Sequence, residues 1–252
     1  MAGGTIELKI DTSQVDAALK NNVESQIPFA VSKGLNDAAN LAKQELVNEM
    51  RQIFDRPTPY TLSGIRVQRA TKQKLVARVG FINDAFKAAP ASVYLAPQVD
   101  GGARSVKRIE SLLRARGYLP AGMFVVPGEA AKLDAYGNFS RGQYSQILAQ
   151  LQASRDSAQN ETARSRARKR SRSSRAPRYF VGRPGGGSRP LGVWARYQFA
   201  SGTAVRPVLM FVRSPQYKPR FRFKEIVELV TARTLPTTFA AALEVAMATR
   251  RR

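Results

Sequence analysis

The chain has 252 residues, of which 43% are hydrophobic and 23% charged, with a formal net charge of +23; this is enough apolar material for one sizeable core or two small ones. It contains no histidine and no cysteine, which removes Ser-His-Asp and Cys-His catalysis, His-ligated zinc, thiolate metal sites and disulfides. No run approaches the ~18 uninterrupted apolar residues of a membrane span, and MAGGTIELKI lacks the regions of a secretory signal, so the expectation is no transmembrane helix and a protein that stays in the cytoplasm where it is made.

Ile6, Leu8 and Ile10 alternate with polar residues, which predicts a half-buried strand over about residues 5–11. Ile27, Val31, Leu35, Ala38, Ala42, Leu46, Met50 and Ile53 then recur at steps of three and four, the pattern of one helical face. Ser25 is the expected cap and Pro28 lies in the first turn, while Pro57 and Pro59 end the helix, which is expected over about 25–54. At ~1.5 Å per residue it would span about 45 Å and act as the spine of the fold.

Ile65 and Val67, then Leu75, Ala77, Val79 and Phe81, alternate around the polar Thr71 to Lys74, so a hairpin is predicted there. The stretch from Asn83 to Ala103 has no periodicity and reads as a loop with a short strand at Val93 to Leu95. A helix is expected over about 104–116, with Val106, Ile109, Leu112 and Leu113 inward and Gly117 in the left-handed position that ends helices. Val125 and Val126 are extended, Pro127-Gly128 and Asp134 to Asn138 are turns, and Tyr144, Ile147, Leu148 and Leu151 mark a helix over about 141–153.

Charge is distributed unevenly. Residues 1–161 carry 20 basic against 15 acidic side chains, whereas 162–224 carry 17 basic and none acidic. From Ser154 to Arg178 there is almost no large apolar residue, and Arg164, Arg166, Arg168, Lys169, Arg170, Arg172, Arg175 and Arg178 form a basic arm. Such a segment buries too little to offset the entropy of ordering and is expected to be disordered in the free chain. Strands resume at Tyr179 to Val181, Leu191 to Phe199 and Val205 to Val212, and a C-terminal helix over about 223–248 is interrupted at Pro236.

Helices and strands run in blocks, so the class is α+β: a mainly antiparallel sheet packed against a long N-terminal helix and further helices, with a disordered-prone Arg/Ser-rich insertion. The domain reading is an N-terminal α+β part over residues 1–153, a flexible segment over 154–178, and a part over 179–252 that completes the same domain.

Little in the chain has the pattern of a catalytic or cofactor site. Gly185 to Gly187 is a turn, since no Gly-Lys-Ser/Thr follows it as a phosphate loop requires. Glu45 with Glu49, and Asp134 near Glu129, are the carboxylate pairs that could hold a metal, though such spacing is ordinarily a solvated face. Tyr179, Phe180, Trp194, Tyr197 and Phe199 alternate with arginines, and aromatics at strand spacing read as sheet core ahead of base-stacking platforms. No catalytic residue, cofactor or metal is assigned.

FDRPTPYTLSGIRVQRATKQKLVARV, YLAPQVDGGARSVKRIESLLRARGYL and VVPGEAAKLDAYGNFSRGQYSQILAQL, followed by LGVWARY and VLMFVRSPQYKPRFRF before an alanine-rich helix, resemble the minor tail proteins of tailed phages related to protein Z of phage lambda. The resemblance covers most of the chain apart from the Arg/Ser insertion. It implies a non-enzymatic virion protein, a tail-completion subunit forming a ring of its own copies at the head–tail neck around the DNA exit channel. It also implies tail-tube, tail-terminator or head–tail connector proteins as neighbours, phage double-stranded DNA as a channel contact, and assembly in the host cytoplasm. Without the resemblance, the basic arm supports a second expectation, a nucleic-acid-binding protein that contacts phosphates non-specifically.

Overall fold

The computed structural model describes residues 5–9, 26–84, 88–172, 176–187, 189–213 and 216–248, with the backbone alone for Thr5 and residues 169–172. In chain order its elements are β1 (Thr5–Lys9), α1 (Gln26–Ile53), α2 (Pro59–Leu62), β2 (Ile65–Gln68), β3 (Val76–Phe81), α3 (Ala91–Val99), α4 (Arg108–Ala115) and β4 (Met123–Pro127). There follow α5 (Arg141–Gln150), α6 (Ala163–Arg172), β5 (Arg178–Gly182), β6 (Gly192–Phe199), β7 (Gly202–Arg213) and α7 (Phe223–Ala248). The expected α+β class is what the chain forms. Ser25, Ile10, Arg175 and the terminal arginines lie outside the described residues.

The chain divides into two compact units, residues 1–102 with 217–252 and residues 103–216. The boundaries expected at 153 and 178 both fall inside the second unit. Composition marks where charge changes, whereas the units are set by which strands pair, and one unit here is inserted into the other.

In the first unit β1, β3 and β2 form an antiparallel sheet in that order, with Ile6 opposite Val79 and Val67 also opposite Val79. Thr71 and Lys74 close the hairpin through reciprocal backbone bonds of 2.9 and 3.1 Å. The predicted face of α1 is buried from Ile27 through Val31, Leu35, Ala42, Leu46 and Met50, and packs on Ile65, Ala77, Val79 and Phe81. Each fully buried Leu, Ile or Met contributes roughly 1.5–3 kcal/mol. The α7 helix lies antiparallel to α1, as Glu49 pairs with Arg222 at one end and Ala30 packs on Ala242 and Ala246 at the other. The two backbones approach closely where a Cβ on Gly34 would stand 2.9 Å from Phe239 Cα, and Thr238 Oγ1 donates to Gly34 O at 3.1 Å.

Three local expectations change. Residues 91–99 are a helix and not a loop with a strand, because Ala91, Leu95 and Val99 repeat at four-residue steps; the helix contains Pro97 although that residue has no N–H to give the carbonyl of Val93. The α7 helix runs through Pro236 without a break. It is also long and apolar enough, by length and composition, to cross a membrane, although charged residues and Pro236 interrupt its apolar sequence.

The second unit is a four-stranded antiparallel sheet, β4-β7-β6-β5, with an irregularity at Val193/Trp194. Ile109 and Leu113 of α4, with Ile147 and Leu148 of α5, pack on Tyr179, Val193, Ala195 and Phe211 of the sheet. At the end of α4, Gly117 adopts φ 71° and Tyr118 N donates to Leu113 O at 2.9 Å, the left-handed termination expected there.

Candidate polyanion interface

The basic arm leaves a platform held by buried polar side chains. Glu110 is fully buried and accepts from Lys107 N at 2.7 Å, Val125 N at 2.8 Å and Arg104 Nη1 at 3.0 Å, tying the start of α4 to β4. Burial alone would raise its pKa, but the Arg104 guanidinium and the two backbone N–H groups outweigh it and hold the carboxyl below its ordinary range. Burial pushes the Tyr144 hydroxyl up to about 12; that hydroxyl accepts from Ile109 N at 3.0 Å. Gln143 spans the 130–132 loop, donating to Ala130 O and accepting from Lys132 N.

Both ends of the arm are pinned to this platform. At its start Gln152 Nε2 donates to Glu161 O at 2.8 Å, Asn160 Oδ1 accepts from Ser154 N, and Asp156 caps a single 3-10 turn over Ser157–Gln159. At its exit Gln150 Oε1 accepts from Tyr179 N at 2.9 Å and its Nε2 donates to Pro177 O.

Between these anchors the arm is helical over Ala163–Arg172, where disorder was expected. Arginine is a good helix former, so local propensity favours this even without apolar burial. The basic residues at 164, 166, 168, 169, 170 and 172 occur at steps of one and two, which distributes them around most of the helix and leaves no apolar stripe. Arg164 and Arg168 are exposed. Arg166 differs, because its Nε lies 3.6 Å from the buried Glu161 carboxylate and so anchors the arm instead of being free for a partner. The backbone of Lys169, Arg170 and Arg172 is helical, and their side chains and the whole of Arg175 are outside the described residues. Arg178 is exposed at the start of β5, directly opposite the exposed Arg196 on β6.

The interleaved aromatics divide between the two readings given for them. Tyr179 and Trp194 are buried, and Trp194 Nε1 donates to Gly182 O at 3.0 Å. Phe180 and Tyr197 are half-buried, with the Arg196 guanidinium 5.0 Å from the Phe180 ring centre and Arg189 5.7 Å from that of Trp194. Phe199 is exposed and stacks on Tyr197 at 6.3 Å. The guanidiniums therefore cover ring faces that a nucleic-acid base would need.

Among the described residues no group of three acidic, His or Cys side chains forms a metal site. Glu49 pairs with Arg222 at 3.2 Å, and Asp134 Oδ1 closes its own turn on Tyr136 N and Asn138 N. The glycines at 185–187 all have positive φ, as a turn requires. Sequence reading missed the anchors Gln150, Gln152 and Glu161, which have no periodicity to betray them. Glu110 alone had a signal, standing three residues after Lys107, the residue that caps the start of α4. Comparison with protein-family models, curated proteins and solved structures finds no match.

Proposed function

We propose that this chain is a structural subunit of a tailed-phage particle, a minor tail or tail-completion protein assembled as a ring of its own copies at the head–tail neck around the DNA exit channel. The observation that supports it most is the outer surface of α7. From Thr234 to Ala248 the helix has one charged residue, Glu244, and Pro236, Ala240, Ala241, Val245 and Met247 are exposed. Only 28% of its most apolar stretch is buried, whereas a water-facing helix ordinarily presents a polar outer face. An apolar helix left this open is suited to being covered by another protein. The resemblance to phage minor tail proteins supplies the kind of neighbour. Copies at +23 repel one another, and DNA in the channel would offset that repulsion.

Light scattering on the purified chain, with and without short duplex DNA, tests this together with its location in the particle by cryo-EM. The expected result is a species several times 27.7 kDa, reduced by the double substitution Val245→Glu and Met247→Glu, which also excludes the chain from particles. A monomer under all conditions and a protein absent from virions would refute it. Nuclease, peptidase and glycosidase assays with Mg²⁺ are expected to be flat.

The arm supports the second reading, non-specific contact with nucleic-acid phosphates. Replacing Arg164, Arg168, Arg170 and Arg172 with Ser, and keeping the Arg166 anchor, separates the two readings. Weaker DNA binding with normal incorporation into particles favours a DNA contact, and lost incorporation favours an assembly contact.

A further inference from the structure

The first unit contains a polar cleft of about 520 Å³ away from the arm's sequence, lined by Asn40 and Lys43 of α1, Ser63, Arg66 of β2, Arg69 and Asp84. Three cations thus face one carboxylate. None of Lys43, Arg66 and Arg69 has an ion-pair partner among the described residues, and the Asn40 amide makes no side-chain hydrogen bond there. Ser63 spends its proton on Tyr60 O at 3.0 Å, so the available donors are the amide, the ammonium and the two guanidiniums.

The walls of this cleft are fixed. Asn36, one helical turn before Asn40, donates to Ala70 O at 3.0 Å and accepts from Ala70 N at 2.8 Å. This two-bond clamp holds the residue after Arg69 against the helix that carries Lys43. Arg66 is fixed opposite Gly80 by strand pairing. The plainer explanation is that β2 is an edge strand and its arginines block pairing with a stray strand. That accounts for Arg66, but not for Lys43 and Asn40 on the facing helix.

Like charges gathered on one cleft repel unless an anion joins them. Guanidinium forks and an ammonium together match the oxygens of a phosphate. The cleft is open to solvent, so a ligand longer than the cleft can lie across it. We propose that it binds a phosphate of a nucleic-acid backbone. The ligand class is that of the second reading above, but the residues are different, so either proposal can fail alone.

The test measures anisotropy of a labelled 20-base-pair duplex against salt with the full chain, its Lys43→Gln, Arg66→Gln, Arg69→Gln triple variant, the Arg-to-Ser arm variant, and both sets combined. Each phosphate contact contributes about 0.9 to the log-log salt slope. The triple variant is expected to bind more weakly and to lose about one unit of slope, in the native arm background and in the arm-substituted one alike. Between about 50 and 200 mM salt this makes its fall in affinity roughly three- to fourfold smaller. Asn40→Asp, a single change at a half-buried position, is expected to weaken binding in the same direction and decides the matter if the triple variant loses its fold. Unchanged affinity and slope in a folded variant overturn the proposal. So does a poly-glutamate peptide that binds the native cleft as tightly as the duplex does, since the partner would then be an acidic protein.

Discussion

Replacing Glu110 with alanine removes the acceptor for two backbone N–H groups, Lys107 N at 2.7 Å and Val125 N at 2.8 Å, and the partner of Arg104. The Arg104 side chain is itself largely buried, so its charge cannot simply turn to water. Breaking a buried pair from one side costs about 3–5 kcal/mol, and each orphaned buried donor costs about 1–3 kcal/mol. These overlap, so the working figure is about 4–5 kcal/mol, a large part of the ~5–15 kcal/mol that holds an ordinary domain together. Urea unfolding followed by Trp194 fluorescence reports on the second unit, which contains that residue. Glu110→Gln, which keeps an acceptor and the shape, should lose less. The sign with pH follows from the lowered pKa. The stabilisation from this carboxylate is complete above its unfolded value of about 4.3 and disappears as pH falls through the lower folded value. The native chain should therefore lose more stability between pH 5 and 3, both values being about one unit from the unfolded pKa, than Glu110→Gln does. An alanine variant within about 1 kcal/mol of the parent would show that water or rearrangement replaces the missing carboxylate.

Two further outcomes follow from the packing and from the arm. Leu35 is completely buried on α1, so Leu35→Asp should cost several kcal/mol, and a melting temperature unchanged to within about two degrees would mean that α1 is not the spine of its unit. The α6 helix has ten residues, short of the ~12–15 that an isolated helix needs, and the like-charged pairs 164/168, 166/170 and 168/172 together cost about 1 kcal/mol. Circular dichroism at low salt should gain helix when a short duplex is added, and the gain should vanish in the Arg-to-Ser variant; a signal indifferent to the duplex contradicts this.

Periodicity made the elements legible where one face was apolar. Ile27 to Met50 and the Ile65/Phe81 hairpin were readable because side chains three or four apart, or two apart, share a face and bury it. Residues 91–99 were not, since alanine and proline dilute the pattern and two prolines suggest a loop. The α6 helix was invisible for a different reason: its sequence gives no burial to detect, and its ends depend on Gln150, Gln152 and Glu161, whose partners are known only once the chain is folded. The two-unit division was hidden because residues 217–248 rejoin α1 after an excursion of more than a hundred residues, and no local signal records such a return. The Lys43, Arg66 and Arg69 cleft was missed because two separate elements contribute to it.

The distribution of charge makes the two proposed activities separable by salt. The second unit carries 21 basic and 5 acidic side chains, a surplus of 16, while the first carries a surplus of 7 and the exposed apolar surface of α7. Salt competes with phosphate contacts, so duplex affinity should fall steeply as it rises. The same salt screens repulsion between copies, with a Debye length of about 10 Å at 0.1 M and about 3 Å at 1 M, and leaves apolar burial intact. Self-association in the absence of DNA should therefore rise between about 0.1 and 1 M salt while DNA binding falls. Sedimentation of the free chain alongside anisotropy of the labelled duplex measures both over one salt series. If association instead falls together with DNA affinity, the copies meet through charged contacts, and the covering of α7 by a second copy is wrong.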